Sequence, residues 1–199
     1  INMAQAKHIL TIEDPIEFIH ENKKSVIDQR EVGSHTLSFQ KALKSSLRED
    51  PDVILIGEMR DLETIALALT AAETGHLVLA TLHTSGAAKS IDRIVDAFPH
   101  EQQNQIRTQL AESLQAIVWQ SLLKTKDRKG RIAAMEVMFN NHAIENMIRK
   151  GNSHQIDSVI ETSSKEGMQT MKHALTELVD ADLIDGTEAT LYMPKEIEI

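Results

Sequence analysis

The chain has 199 residues, 41% of them apolar, and a formal net charge of -9. This is enough apolar content for one α/β domain, with room for a small appendage. The acidic balance and an aromatic content of 3% argue against a nucleic-acid surface, which is usually basic and rich in stacking side chains.

In chain order, "HILTI" (8–12) reads as a short strand stopped by Asp14-Pro15, and "KSVIDQR" (24–30) as a weaker one. Phe39, Leu43 and Leu47 recur every four residues, which predicts a helix over 36–49 that ends before Pro51. "VILI" (53–56) is apolar enough to be buried on both faces. A helix over 61–74 follows, with Asp61 as its cap and Gly75 closing it. "LVLATL" (77–82) is another buried strand, and 86–98 a helix ahead of Pro99.

Residues 100–123 carry a helical stripe of Ile106, Leu110, Leu114 and Ile117, although the last residues could begin a strand instead. A charged turn over 124–129 ends at Gly130, and 131–138 reads as its partner strand. Beyond Asn140 the pattern is of small helices, over 143–150, 155–162 and 168–179. Met135, Met138, Met147, Met168 and Met171 read as core filler around them, and the acidic residues after Thr176 as a solvated face.

Alternating strands and helices with fully apolar strands imply a mostly parallel sheet covered on both faces. Ligands of such sheets sit outside the carboxyl ends of the strands. Three apolar runs here end in polar clusters: "TIEDPIEF" (11–18), "GEMRD" (57–61) and "ATLHTSGAA" (80–88). If these strands are parallel neighbours, Glu13, Asp14, Glu17, Glu58, His76 and His83 converge on one rim. Carboxylates there suit phosphoryl transfer, holding Mg²⁺ or orienting an attacking water. Each signal has an ordinary alternative. Asp14-Pro15 can simply make a turn, a lone histidine is usually packed or solvated, and Arg60 can pair with Glu63. Two histidines around one strand also raise a metal site, but no adjacent aspartates complete it. None is expected.

Taken together, the three segments resemble the secretion and type IV pilus ATPase superfamily. "ILTIEDPIEF" matches its aspartate box, "DPDVILIGEMRDLET" its Walker B segment and "TGHLVLATLHTSGAAKSIDRIVDAFP" its histidine box. Within it, "GEMRDLETI" and "AAMEVMFNNHAIENMIR" are similar to the pilus retraction branch, the PilT type. The absence of cysteine agrees with that branch, because extension and type II secretion ATPases usually carry a four-cysteine zinc module. One position departs: Glu145 stands where the family's C-terminal helix carries Arg.

The resemblance implies a RecA-like P-loop ATPase core over 1–139 and a small C-terminal helical subdomain over 140–199. It implies catalytic roles for Glu58 (Walker B glutamate), Glu17 (general base), Glu13 and His83 (sensor of the γ-phosphate). His76, Arg48, Arg60 and Asp14 are the expected nucleotide contacts, the two arginines serving either a phosphate or a subunit interface. The implied cofactors are ATP and Mg²⁺. The implied assembly is a homo-hexameric ring in the cytoplasm, at the face of the inner membrane. It would work on a membrane platform protein to drive pilus retraction and twitching motility, with no nucleic-acid partner.

No cysteine, signal peptide or apolar run of the roughly 18 residues of a membrane span is present. None of the eight glycines builds G-x-x-x-x-G-K-[ST], and the chain opens on Ile1. The expectation is therefore a piece of a longer ATPase, beginning after the phosphate loop and inactive alone. A paralogous pilus or secretion ATPase and a non-catalytic assembly piece stay open. A DNA translocase on the same core fold is disfavoured by the acidic charge.

Overall fold

A computed structural model describes residues 1–193, which fall into two compact units. The first comprises residues 1–83 with 97–99, and the second residues 84–96 with those from 100 on. The boundary expected after residue 139 falls inside the second unit. Residues 194–199 of the expected helical subdomain lie outside the described residues, as do the acidic Glu196 and Glu198.

The first unit is built on a four-stranded, all-parallel sheet in the order β2-β1-β3-β4. Its strands are β1 (His8–Glu13), β2 (Val26–Glu31), β3 (Val53–Ile56) and β4 (Leu77–Ala80). The pairing sets Leu10, Ile54 and Val78 in one row across the sheet, and Ile12, Ile56 and Ala80 in another. Side chains alternate along a strand, so these residues share one face. That face is the core, where Leu10, Ile12, Ile54 and Ile56 pack with Ala42 and Leu43 of α1 (Phe39–Ser46) and Ala68 and Ala71 of α2 (Leu62–Glu73). Ser38 caps α1 by accepting from the Lys41 amide, and Asp61 caps α2 by accepting from the Thr64 amide.

At β4 the other face departs from the expectation of cover on both sides. Leu77 and Leu79 point there and are 41% and 42% exposed. No helix of this unit covers them, because α1 and α2 both pack on the Leu10–Ile54 side. A four-residue apolar run cannot show from sequence alone which of its faces finds a partner.

The second unit contains α3 (Ala87–Asp96), α4 (His100–Ser113), the antiparallel hairpin β5 (Ala116–Lys124) and β6 (Arg131–Phe139), and the helices α5 (His142–Lys150), α6 (Ile156–Thr162), α7 (Met171–Asp180) and α8 (Gly186–Tyr192). The helical stripe of 100–123 thus divides. The helix ends at Ser113, where Asn140 donates to the carbonyls of Ala111 and Leu114 at 2.9 Å each. "AIVW" then continues as strand, the preference of β-branched and aromatic residues. A core of Leu123, Ala134, Met171, Ala174, Leu175, Ile184 and Ala189 joins the hairpin to α7 and α8. Helix α8 has no counterpart in the sequence pattern. Of the methionines read as filler, Met138, Met168 and Met171 are buried, whereas Met135 is 37% exposed on the outer face of the hairpin.

Candidate active site

The site-bearing strands β1, β3 and β4 are immediate neighbours and run the same way. Their carboxyl ends therefore share one edge, and pairing continues past the regular strands. The Gly57 amide donates to the Ile12 carbonyl at 2.8 Å, and the Met59 amide to the Thr81 carbonyl at 3.1 Å. The Thr81 hydroxyl also donates to the Gly57 carbonyl. Gly57 is required by this approach: a Cβ there would lie 3.1 Å from the Ile12 carbonyl oxygen and 3.3 Å from Glu13 Cα.

The zippered segments bring Glu58 and His83 together. Glu58 Oε1 lies 3.1 Å from His83 Nε2, and Glu58 Oε2 lies 2.6 Å from an Arg60 guanidinium nitrogen. The Glu58 side chain is 19% exposed, whereas those of His83 and Arg60 are 84% and 70% exposed. The Arg60 hydrogen bond, with a smaller contribution from His83, holds the Glu58 carboxyl below its ordinary pKa. Glu58 in turn raises Arg60, which also feels the charge of Asp14. Arg60 thus pairs with Glu58 rather than with Glu63. Exposed ion pairs of this kind contribute little to stability. An arriving anion can therefore draw Arg60 or His83 off Glu58 at little cost.

Glu13 ends β1 on the face opposite the core. Its Oε1 accepts from the Thr11 hydroxyl at 2.6 Å and from the Gln29 amide at 3.1 Å. Neither orienting residue was anticipated. Their signal was the register: Thr11 pairs with Gln29 across β1 and β2, and both share the face of Glu13. Asp14 and Glu17 are exposed on the loop that follows β1.

Two expected residues lie elsewhere. His76 precedes β4 and so sits at the amino edge of the sheet, the far end of that strand from His83. Its Nδ1 lies 3.0 Å from the Ala71 carbonyl and 3.2 Å from the Thr74 hydroxyl, where it closes the end of α2. Arg48 follows α1 at the same amino edge, where the Asp52 amide of the α1–β3 connection donates to the His8 carbonyl. A helix between parallel strands runs back to their amino ends, so the exit of α1 cannot lie beside Glu58. The expectation of one rim is corrected for His76. Asp61 is the α2 cap, with a further bond from Gln40 at 2.9 Å. Among the described residues no three His, Cys, Asp or Glu side chains form a metal-binding group.

The family described as type II/IV secretion system protein matches residues 1–183. The chain belongs to that family. It is 60% identical over 184 residues to a twitching motility protein of Neisseria gonorrhoeae, covering 92% of this chain and 49% of that protein. It is 56% identical over 189 residues to the type IV pilus retraction ATPase PilT of Pseudomonas aeruginosa, covering 95% of this chain and 55% of the relative. Among solved structures, the pilus retraction motor PilT with bound ADP superposes with a TM-score of 0.91 at 47% identity, over all of this chain and 56% of that one. The α/β class, with a RecA-like core and a mostly parallel sheet, is therefore that of this secretion ATPase family. The chain spans about half the length of the relatives it matches.

Proposed function

We propose that this chain is part of an ATP-hydrolysing motor that retracts a type IV pilus and so drives twitching motility. The observation that carries the reading is the Glu58 carboxylate, held between the exposed Arg60 guanidinium and His83 imidazole where β1, β3 and β4 end side by side. The identity with PilT and with a twitching motility protein supports the same activity.

In this mechanism His83 and Arg60 leave Glu58 for the oxygens of the terminal phosphate. Glu58, released, accepts a hydrogen bond from a water and aims it at phosphorus. The water oxygen bonds to phosphorus as the bond to the ADP oxygen breaks. Glu17, on the loop after β1, takes the proton of that water. Mg²⁺, when bound, would neutralise phosphate charge and would need only one or two protein carboxylates beside the phosphates. Glu13 and Asp14 fit that part, since Glu13 leaves its second oxygen free of the Thr11 and Gln29 bonds. His76 and Arg48, at the opposite edge, take no part in this step.

The reading extends to a homo-hexameric ring at the cytoplasmic face of the inner membrane, acting on a platform protein. It also holds that the 199 residues alone bind ATP weakly, because they contain no phosphate-cradling loop. The cellular test is allele replacement. A deletion strain should stay piliated and lose twitching, the wild-type allele should restore twitching, and Glu58→Ala should not. Restoration by Glu58→Ala, or a deletion strain without pili, would contradict the reading.

A further inference from the structure

The mechanism leaves one buried carboxylate unused. Glu136, in β6, is 7% exposed. Its Oε1 accepts from the Ala87 amide, the first residue of α3, at 2.9 Å, and its Oε2 lies 3.4 Å from the Met171 amide, the first residue of α7. One side chain therefore serves two helix N-termini, where unpaired amides and the helix dipole both favour a carboxylate. The fit is close. Gly86 has φ +112°, and a Cβ there would meet Glu136 Oε1 at 3.5 Å.

The segment ahead of α3 is fastened in turn to α3. The Ser90 hydroxyl donates to the Gly86 carbonyl at 2.9 Å and lies 2.6 Å from the Thr84 hydroxyl. The Lys89 ammonium donates to Ser85 at 3.2 Å. Thr84 is covalently joined to His83, so the backbone that carries His83 is anchored, within a few residues, to a helix whose start is held by Glu136.

Resting on the phosphate role of His83 given above, we propose that Glu136 is a positioning residue for catalysis: it fixes the start of α3 and thereby limits where the 84–86 segment can carry His83. Glu136 touches no substrate, and its effect passes through His83.

A double-mutant cycle on ATP turnover by the full-length gene product tests this, using Glu136→Ala, Glu136→Gln and His83→Ala. Removing a buried acceptor of two amides should lower kcat about tenfold while KM for ATP stays within about twofold. Glu136→Gln keeps one oxygen acceptor and the side-chain volume, and should recover part of the loss. Glu136→Ala combined with His83→Ala should be no slower than His83→Ala alone. Additive losses, or wild-type kcat in Glu136→Ala, would overturn the proposal. If Glu136→Ala does not fold, Glu136→Gln takes its place in the cycle under the same criteria. If the wild-type protein shows no turnover, the functional reading fails separately. Amide hydrogen exchange then decides about Glu136: faster exchange at residues 84–87 in Glu136→Gln supports the anchor, and unchanged exchange overturns it.

Discussion

At Gly57 the end of β3 passes so close to β1 that the identity of one residue decides whether the site can form. A methyl group 3.1 Å from the Ile12 carbonyl oxygen and 3.3 Å from Glu13 Cα would meet the backbone of β1, which cannot move as a flexible side-chain tip can. Gly57→Ala should therefore cost about 1–3 kcal/mol in denaturant unfolding and displace Glu58 from His83. A variant as stable as wild type would show that the strands can separate at no cost. Glu136 offers a second residue-scale check. Burial pushes its carboxyl above the ordinary value, aided by the charge of Asp157 and opposed by the Ala87 and Met171 amides. Burial raises Asp157 also, against the charge of Lys89. With the folded value of Glu136 raised, the native state holds its proton longer than the unfolded chain does. Its contribution to stability is thus greatest below the unfolded value and falls as pH rises through the folded one. The melting temperature of Glu136→Gln relative to wild type should therefore climb as pH rises above about 4.5, and a flat difference would contradict the assignment.

The elements show why sequence pattern located some features and missed others. Strands β1 and β3 were legible because "HILTI" and "VILI" are short, apolar and bounded by Pro or charge. Asp61 was legible as a cap because a carboxylate ahead of an apolar run has one common use at a helix start. By contrast, the stripe Ile106, Leu110, Leu114 and Ile117 carried helical spacing across the true end of α4. What ends that helix is Asn140, 26 residues beyond Leu114, and local periodicity holds no trace of it. His76 was misplaced for a related reason. Proximity in sequence to a site-bearing strand does not say at which of its ends a residue lies, whereas the order of strand and helix does. Helix α5 is independently checkable. Asn141 caps it by accepting from the Ala143 and Ile144 amides at 3.1 Å, and Gly151 closes it at φ +73°. Asn141→Ala should cost about 1 kcal/mol, and Ile148→Ala, which empties a fully buried position, about 2–5 kcal/mol. Chemical denaturation reads both, and equal effects from the two variants would contradict the packing described.

For the whole molecule, the secretion ATPase family was legible because three boxes occur in order along one chain. The relation of Glu58 to Arg60 and His83 was not, since which charges pair is settled only when the strand ends zip together. Pilus retraction, as the proposed output, depends on whether the carboxylate at the end of β3 serves turnover rather than nucleotide binding. Coupled phosphate release by the full-length gene product, set beside nucleotide binding for wild type and Glu58→Ala, measures this directly. The account predicts that Glu58→Ala binds ATP within a few-fold of wild type and loses turnover by at least about a hundredfold. Turnover near the wild-type rate in that variant would contradict it.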